Sequence, residues 1–163
     1  METAPLWHRV LDDPQLQTLP YKIETNEHGQ LLLTPHKPQH GYFQMRIGEL
    51  LRDHLDRPGR RAVEFAVKTT KGVTVPDVVW VSDARWADLP ADAEASPVMP
   101  DLCVEVLSEN NTDAELADKR ALYFAEGARE VWTCTLDGQI QFYDEDGACS
   151  SSALAPSFPV SIE

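Results

Sequence analysis

Two acidic side chains stand inside apolar segments, where a charge is costly. Glu105 lies in the middle of the run LCVEVL, and Asp77 lies near the start of a second run, VPDVVWV. A buried carboxylate without a partner is unfavourable, so each segment predicts a cation opposite its acid. Two carboxylates in one core also repel each other unless one is protonated or a divalent cation lies between them. The pattern favours Mg²⁺ or Mn²⁺, which need few protein carboxylates as oxygen ligands.

A lysine downstream of these acids adds the opposite charge. Lys119 falls on a predicted helix, three residues after Leu116 and four before Tyr123, close to the apolar side of that helix. Because residues three and four apart share a helix face, Lys119 can reach over the sheet toward Glu105. Two carboxylates, a metal ion and a lysine suit phosphodiester hydrolysis. The metal polarises the phosphate, and the lysine orients water or stabilises developing charge.

The elements that must position these side chains follow from hydrophobic periodicity and turn signals. Strands are predicted at residues 21–24, 30–34, 62–68, 73–81, 102–107, 129–135 and 139–143, and helices at 41–55 and 113–126. This order predicts an α/β (α+β) fold, in which a mixed central sheet is flanked by helices.

The chain is expected to form a single domain over residues 1–163, because it contains no internal repeat, low-complexity tract or long linker. Within that domain we expect an irregular N-terminal arm at 1–20, a core at about 21–143 and a C-terminal tail at 144–163. The stretch at 82–99, which contains two prolines, is expected to be irregular.

Cysteine content and hydropathy predict a cytoplasmic protein without a membrane partner. The three cysteines are odd in number and show no CxxC spacing, which disfavours structural disulfides and a zinc knuckle. No apolar run approaches the ~18 residues of a membrane span. The first residues, METAPLWHRVLDD, lack the basic and apolar regions of a signal peptide.

Five stretches of the chain carry a family resemblance, which spans residues 20–143. They read LPYKIETNEHGQLLLTP, QHGYFQMRIGELL, GVTVPDVVWVS, PDLCVEVLSENNTDAELADKRALYFAEGAREVW and DGQIQFYDEDG. In this order and spacing they resemble the PD-(D/E)XK nuclease superfamily, and within it the Uma-type restriction endonuclease family. The resemblance implies a restriction-endonuclease-like fold and a metal-dependent endonuclease that hydrolyses phosphodiester bonds of DNA. It also implies Mg²⁺ or Mn²⁺ as cofactor, DNA as substrate and a homodimer.

The resemblance further assigns roles to individual residues. It implies Asp77 and Glu105 as catalytic metal ligands and Lys119 as the catalytic lysine, and it favours Asp77 over the aspartate of the second Pro-Asp pair, Asp101. Two further residues are expected to line the site. Glu24 matches an acidic position in the N-terminal hairpin of the family, and His40 matches a histidine just before the first helix.

Alternatives to these roles stay open at the level of sequence. The superfamily lysine would stand two residues after Glu105, where this chain has Leu107. The chain could therefore be a catalytically inactive nuclease-fold protein that acts as a binding or assembly module. Glu105 could form a structural ion pair with Lys119 or Arg120, and Lys119 could instead pair with Glu115 on the helix surface. Asp77 could be an ordinary residue at the start of a strand.

Three further expectations concern exposed or charged residues. Glu24 could be an exposed strand residue, and Glu49 on the first helix is expected to face solvent or an interface. The net charge of −13, from 14 Lys and Arg against 27 Asp and Glu, opposes tight non-specific binding of nucleic acid. An acidic nuclease would need positive potential in one cleft, for which the candidates are Arg46, Lys68, Lys71 and Lys119.

Overall fold

A computed structural model describes residues 4–163. The helices are α1 (Ala4–Asp12), α2 (Pro14–Gln17), α3 (Pro38–His54), α4 (Asp83–Trp86) and α5 (Asp113–Ala125). The strands are β1 (Tyr21–Thr25), β2 (Leu31–Pro35), β3 (Gly59–Val63), β4 (Val67–Thr69), β5 (Gly72–Thr74), β6 (Val78–Ser82), β7 (Leu102–Val106), β8 (Glu130–Cys134), β9 (Ile140–Asp144) and β10 (Gly147–Cys149).

Six of the strands form the central sheet, in the order β10-β9-β8-β7-β6-β3. Only the β7–β8 pair of this sheet is parallel, and α5 connects these two strands, as a crossover between parallel strands requires. Strands β1–β2 and β4–β5 form two separate antiparallel hairpins. The mixed sheet and its flanking helices confirm the predicted fold class. Within the described residues, no helix is long and apolar enough to cross a membrane.

Both faces of the central sheet are buried, which explains the nearly continuous apolar character of β6 and β7. On one face α3 packs over the sheet, in a cluster that includes Ile47, Val104, Trp132 and Phe158. On the opposite face α5 contributes Tyr123 to a second cluster. The strands that carry Asp77 and Glu105 are therefore fixed from both sides.

The N-terminal arm corrects one expectation, because residues 4–12 and 14–17 are helical rather than irregular. Helix α1 buries Trp7 and Val10 in a third apolar cluster with Val73 and Val75 of the β5 region. The apolar side of α1 thus has a partner, and this burial stabilises a helix that would be marginal in isolation. The expected arm at residues 1–3 lies outside the described part of the chain.

The expected strands at 62–68 and 73–81 are also corrected, because each is interrupted. Glu64 adopts a φ of 48°, a left-handed conformation that ends β3. Pro76 has no N–H for a sheet ladder, and it separates β5 from β6. As a consequence, Asp77 lies at the junction between the β4–β5 hairpin and the central sheet.

The C-terminal tail is part of the core rather than an appendage. Leu154, Ala155, Phe158 and Ile162 are buried in the cluster beneath α3. The residues Glu145 and Asp146 form a tight turn, which leads into the short edge strand β10.

Candidate active site

Neighbouring strands bring Asp77 and Glu105 together. Strands β6 and β7 are antiparallel and Val78 pairs with Val104, so the residues just beyond them, 77 and 105, are neighbours across the ladder. The backbone N–H of Asp77 donates to the carbonyl oxygen of Val104 at 3.1 Å. Asp77 is fully buried and Glu105 is 6% exposed.

Helix α5 delivers Lys119 to the same place. Its start is held by a capping box, in which Thr112 Oγ1 accepts the N–H of Glu115 at 3.1 Å while the Glu115 carboxylate accepts the N–H of Thr112. Glu115 therefore serves the helix start. Lys119 Nζ donates to Glu24 Oε1 at 3.0 Å and lies 3.3 Å from Glu105 Oε1. Its side chain is 24% exposed, so the ammonium lies at the border between the buried acids and solvent.

A second lysine, which the sequence analysis missed, lies directly between the two acids. Lys22 Nζ donates to Asp77 Oδ1 at 3.2 Å and to Glu105 Oε2 at 3.4 Å. It also donates to the carbonyl oxygen of Val75 at 3.1 Å. Lys22 is only 8% exposed, so this ammonium is a buried counter-ion of both carboxylates. The cations opposite Glu105 are thus Lys22 and Lys119.

The hairpin β1–β2 carries Lys22 and Glu24 to the site because it packs against β5. The Glu24 carboxylate accepts the N–H of Val75 at 2.7 Å, and Thr25 Oγ1 accepts the N–H of Val73 at 2.9 Å. Gly72, with a φ of 105°, permits this contact, since a Cβ there would lie 2.4 Å from the carbonyl oxygen of Thr25. Glu24 is 6% exposed and faces inward, so the exposed-strand alternative is wrong.

Asp77 is held by several donors besides Lys22. Its Oδ2 accepts the N–H of Val106 at 2.8 Å and lies 3.4 Å from Nε2 of His40. Its Oδ1 accepts from the side-chain amide of Gln44 at 3.4 Å. His40 Nε2 also lies 3.1 Å from the carbonyl oxygen of Val106 and is 4% exposed. The histidine expected near the site therefore bridges Asp77 and the β7 backbone.

Glu105 has one neutral donor, Tyr123 of α5. The Tyr123 hydroxyl donates to Glu105 Oε1 at 2.6 Å, and Tyr123 is fully buried. The sequence showed Tyr123 on the apolar face of α5 without revealing that its hydroxyl meets the carboxylate. Burial and the nearby carboxylates raise the pKa of Tyr123 well above its usual value, so the phenol remains a hydrogen-bond donor.

Burial and ion pairing act in opposite directions on the charges of the site. Burial opposes the charged form of Lys22, but Glu105, Glu24 and Asp77 outweigh it and raise the lysine pKa. Burial likewise opposes the Asp77 carboxylate, yet His40, Lys22 and the Val106 N–H lower its pKa. For Glu105 burial prevails over the two lysines, and its pKa is raised.

Contacts with neighbouring groups also outweigh the effect of burial on the pKa values of Glu24, Lys119 and His40. The burial penalty on Glu24 is overcome by Lys119, Lys22 and the Val75 N–H, so its pKa is lowered. Burial disfavours charged Lys119, but Glu105 and Glu24 raise its pKa. Burial also disfavours charged His40, and contact with Asp77 outweighs it and raises the pKa.

Three residues weighed in the sequence analysis lie elsewhere. Asp101 is buried at the far end of β7, where it accepts the N–H of Ser82 at 2.7 Å. Arg120 places its guanidinium over the ring of Tyr143, 4.0 Å from the centroid. Glu49 is half-buried, with 45% of its side chain exposed, and it pairs with Arg46 at 3.4 Å, in agreement with its expected position facing solvent.

The site opens into a cleft of about 800 Å³ between the β1–β2 hairpin and α5. Among the candidates for positive potential, Lys71 and Lys119 line this cleft, and Lys22 joins them. The acidic side chains that line it are more numerous: Glu24, Glu27, Glu105, Glu115 and Asp118. The described part of the cleft is therefore not a basic groove.

The carboxylate oxygens around the Lys22 ammonium are of the kind that binds a hard cation. Asp77 and Glu105 supply carboxylate oxygens, and an ammonium ion already bridges them. Within residues 4–163, no group of three or more His, Cys, Asp or Glu side chains is arranged to hold a metal ion. Magnesium needs only one or two protein carboxylates, so this two-acid set fits its requirements.

Comparison with solved structures shows the same fold in another protein. A crystal structure from Anabaena variabilis, described as "a putative nuclease belonging to DUF820", matches with a TM-score of 0.66 and 18% sequence identity. The match covers 85% of this chain and 78% of that one. A comparison with curated proteins gave no significant match.

A family model gives the assignment. The model described as "Uma2: Putative restriction endonuclease" matches residues 13–151, which is well over half of the chain. The matched region contains β1 through β9 and every residue of the site described above. This protein belongs to the Uma2 family.

Proposed function

We propose that this protein is a metal-dependent endonuclease that hydrolyses phosphodiester bonds of DNA with Mg²⁺ or Mn²⁺ as cofactor. The observation that carries the proposal is the convergence of Asp77, Glu105 and Lys119 beside one cleft, which Glu105 and Lys119 line. Lys119 Nζ lies 3.3 Å from Glu105 Oε1, and Glu105 and Asp77 share the Lys22 ammonium. Membership in a family described as restriction endonucleases supports the reaction class.

In this proposal Asp77 and Glu105 hold the divalent ion, and the carbonyl of Val106 is a third candidate ligand. When bound, the ion supplies positive charge to the scissile phosphate. His40, Gln44 and the Val106 N–H hold the Asp77 carboxylate in place, which limits its freedom before the ion arrives. Such pre-positioning reduces the ordering cost of binding.

Lys119 is the proposed water-positioning group. Its pKa is raised and its side chain is partly exposed to the cleft, so it presents a charged donor where a phosphate can approach. Glu24 accepts from the Lys119 ammonium at 3.0 Å and thereby fixes its direction. The Tyr123 hydroxyl donates to the Glu105 carboxylate and fixes its direction in the same way. Glu24 and Tyr123 are thus positioning residues in this scheme.

The acidic lining of the cleft affects the conditions under which we expect DNA to bind. A polyanion is repelled by Glu27, Glu115 and Asp118 unless cations compensate them. We therefore propose that DNA binds only in the presence of divalent ions, and that binding weakens with added monovalent salt as phosphate contacts do.

A homodimer would supply two sites for cutting two strands. The free cysteines Cys103, Cys134 and Cys149 accord with the expected cytoplasmic location.

The test is cleavage of supercoiled, linear duplex and single-stranded DNA at low salt with Mg²⁺ or Mn²⁺, and sedimentation gives the oligomeric state. Nicking or linearisation by the wild type, lost in Asp77→Asn and in Glu105→Gln, would support the proposal. Glu49→Gln is the matched control, since Glu49 is a partly exposed acid that does not line the cleft. Absence of cleavage of all three DNA forms with both ions would contradict it.

A nuclease fold without catalysis is the second candidate, and the ion-pair network favours it. Lys22 and Lys119 neutralise two of the three buried acids of the site without any metal. In that case Asp77→Asn would lower the free energy of unfolding, because it breaks a buried network, and neither ion would bind to the wild type. Titration calorimetry together with urea unfolding separates the two candidates.

A further inference from the structure

The two proposed metal ligands already share a cation, the ammonium of Lys22. It lies 3.2 Å from Asp77 Oδ1 and 3.4 Å from Glu105 Oε2. The lysine comes from β1, whereas Glu105 comes from β7 and Asp77 directly precedes β6. The structure therefore brings a third, separate segment to the space between the acids and fills it with positive charge.

Several hydrogen bonds hold Lys22 and its strand in this position. Its ammonium also donates to the carbonyl oxygen of Val75 at 3.1 Å, so three oxygens surround it. The neighbouring Glu24 and Thr25 bind the backbone of β5 through the N–H groups of Val75 and Val73. These bonds fix the β1 backbone, and the flexible four-carbon side chain of Lys22 borders the cleft.

Charge balance makes the ammonium and a divalent ion competitors. The site holds three buried carboxylates, and Lys22 and Lys119 supply two compensating charges. A divalent ion placed beside a retained Lys22 would put like charges within a few ångströms in a poorly solvated space. With Lys22 withdrawn, Asp77 and Glu105 would regain the negative charge that attracts the ion.

We propose that Lys22 is an internal counter-ion that competes with the divalent metal for Asp77 and Glu105. It stabilises the metal-free protein and sets the metal concentration at which the site fills. Filling requires the Lys22 side chain to release both acids and turn toward the cleft. This inference rests on the proposed metal-dependent function and adds a regulatory element to the same site.

The first test is titration calorimetry of Mn²⁺ into the wild type and into Lys22→Met, which keeps the length of the side chain and removes its charge. We expect the variant to bind Mn²⁺ about tenfold more tightly and to gain more in melting temperature from saturating Mn²⁺ than the wild type does. The matched control is Lys68→Met, because Lys68 is an exposed lysine on β4 and its loss changes the net charge equally.

The outcomes of this titration separate the inference from the proposed function. Tighter binding by Lys22→Met alone supports the inference. Equal or weaker binding by a folded Lys22→Met overturns it, and the proposed metal dependence survives because the wild type still binds. An equal gain in both lysine variants also overturns it, since net charge would then explain the effect. No binding to any of the three proteins overturns both.

A second test uses the wild type and so does not depend on the folding of a variant. Reductive methylation followed by mass spectrometry measures how fast each lysine reacts. We expect Lys22 to react slowly without metal, because it is 8% exposed, and faster with saturating Mg²⁺, while the rate of Lys68 stays unchanged. A Lys22 rate that Mg²⁺ saturation leaves unchanged would overturn the inference.

Discussion

Two buried glutamates on neighbouring parallel strands have opposite kinds of partner. Glu130 of β8 is 5% exposed and accepts from Trp132 Nε1 at 2.9 Å and from Ser152 Oγ at 2.6 Å. It also accepts the backbone N–H groups of Ala153 and Leu154 at 2.7 and 3.1 Å. All of these donors are neutral, and the last three belong to the C-terminal tail.

Glu105 of β7 is equally buried, but two of its three partners are lysine ammonium groups. The register places the two glutamates at opposite ends of the strand pair, since Glu130 aligns with Leu102 and Glu105 aligns with Thr133. The donors to Glu130 are held by the tail backbone and by packed side chains. The lysines that meet Glu105 are long, and they line a cleft.

The difference separates a carboxylate held by neutral donors from one held mainly by lysines that line a cleft. Fixed neutral donors satisfy Glu130 completely, so this acid ties the tail to the sheet. Both lysines line the cleft, and in the proposed scheme a divalent cation that enters it displaces Lys22 from the two acids. Burial alone therefore does not distinguish the two acids, whereas the charge of their partners does.

The largest expected effect is on cleavage. Glu105→Gln should reduce the rate of DNA hydrolysis by about 10³-fold or more, because it removes a proposed metal ligand and with it several kcal/mol of charge stabilisation. Glu130→Gln, at the other buried glutamate, should leave the cleavage rate of the folded protein nearly unchanged. Comparable losses in both variants would contradict the distinction between the two acids.

The next largest effect is on the free energy of unfolding. Here we expect the variant of Glu130 to lose more than the variant of Glu105. Glu130→Ala should lower the free energy of unfolding by about 3–5 kcal/mol, since it leaves several buried donors without an acceptor. Glu105→Gln should cost less, because its burial raises the carboxyl pKa and the neutral amide avoids that penalty. Urea unfolding in the presence of a chelator measures both values. A larger loss for Glu105→Gln would reverse the comparison.

The substitution Lys119→Met tests the role of one of the two lysines that contact Glu105. We expect cleavage to fall by about 10²–10³-fold, which is typical for loss of one charged or polar group that stabilises the transition state. Mn²⁺ affinity should not fall, because Lys119 is not a ligand, and this separates it from Glu105→Gln. Single-turnover kinetics and calorimetry provide the two readouts. Loss of metal binding in Lys119→Met would argue against the assigned role.

The smallest effect is a pH dependence of stability through His40, whose folded pKa is raised by contact with Asp77. The stabilisation by charged His40 is present in full below the unfolded pKa of about 6.5, and it is lost as pH rises through the folded value. The stability difference between wild type and His40→Asn, measured without metal, should therefore be larger near about pH 6 than near about pH 9. A difference that grows with pH would contradict the sign.

Much of the fold was predictable because its strongest signals are local. The apolar runs of β6 and β7, a polar capping residue at the start of α5 and the Asp-Gly turn after β8 are readable without tertiary contacts. The two short helices before β1 were not, because their stability comes from burying Trp7 against β5. The interruption at Glu64 depends on a strained φ that no residue pattern announces.

The sequence by itself predicted that Asp77, Glu105 and Lys119 lie together, from two acids inside apolar runs, a lysine near an apolar helix face and the family resemblance, and it left other partners for each of them open. Only the tertiary structure decided that Lys22 lies between the acids. Strand alternation in YKIET shows that Lys22 and Glu24 share a face, and this was the available signal. A period of two does not say which face is buried. The packing of β1 against β5 makes that choice and turns the charged face inward.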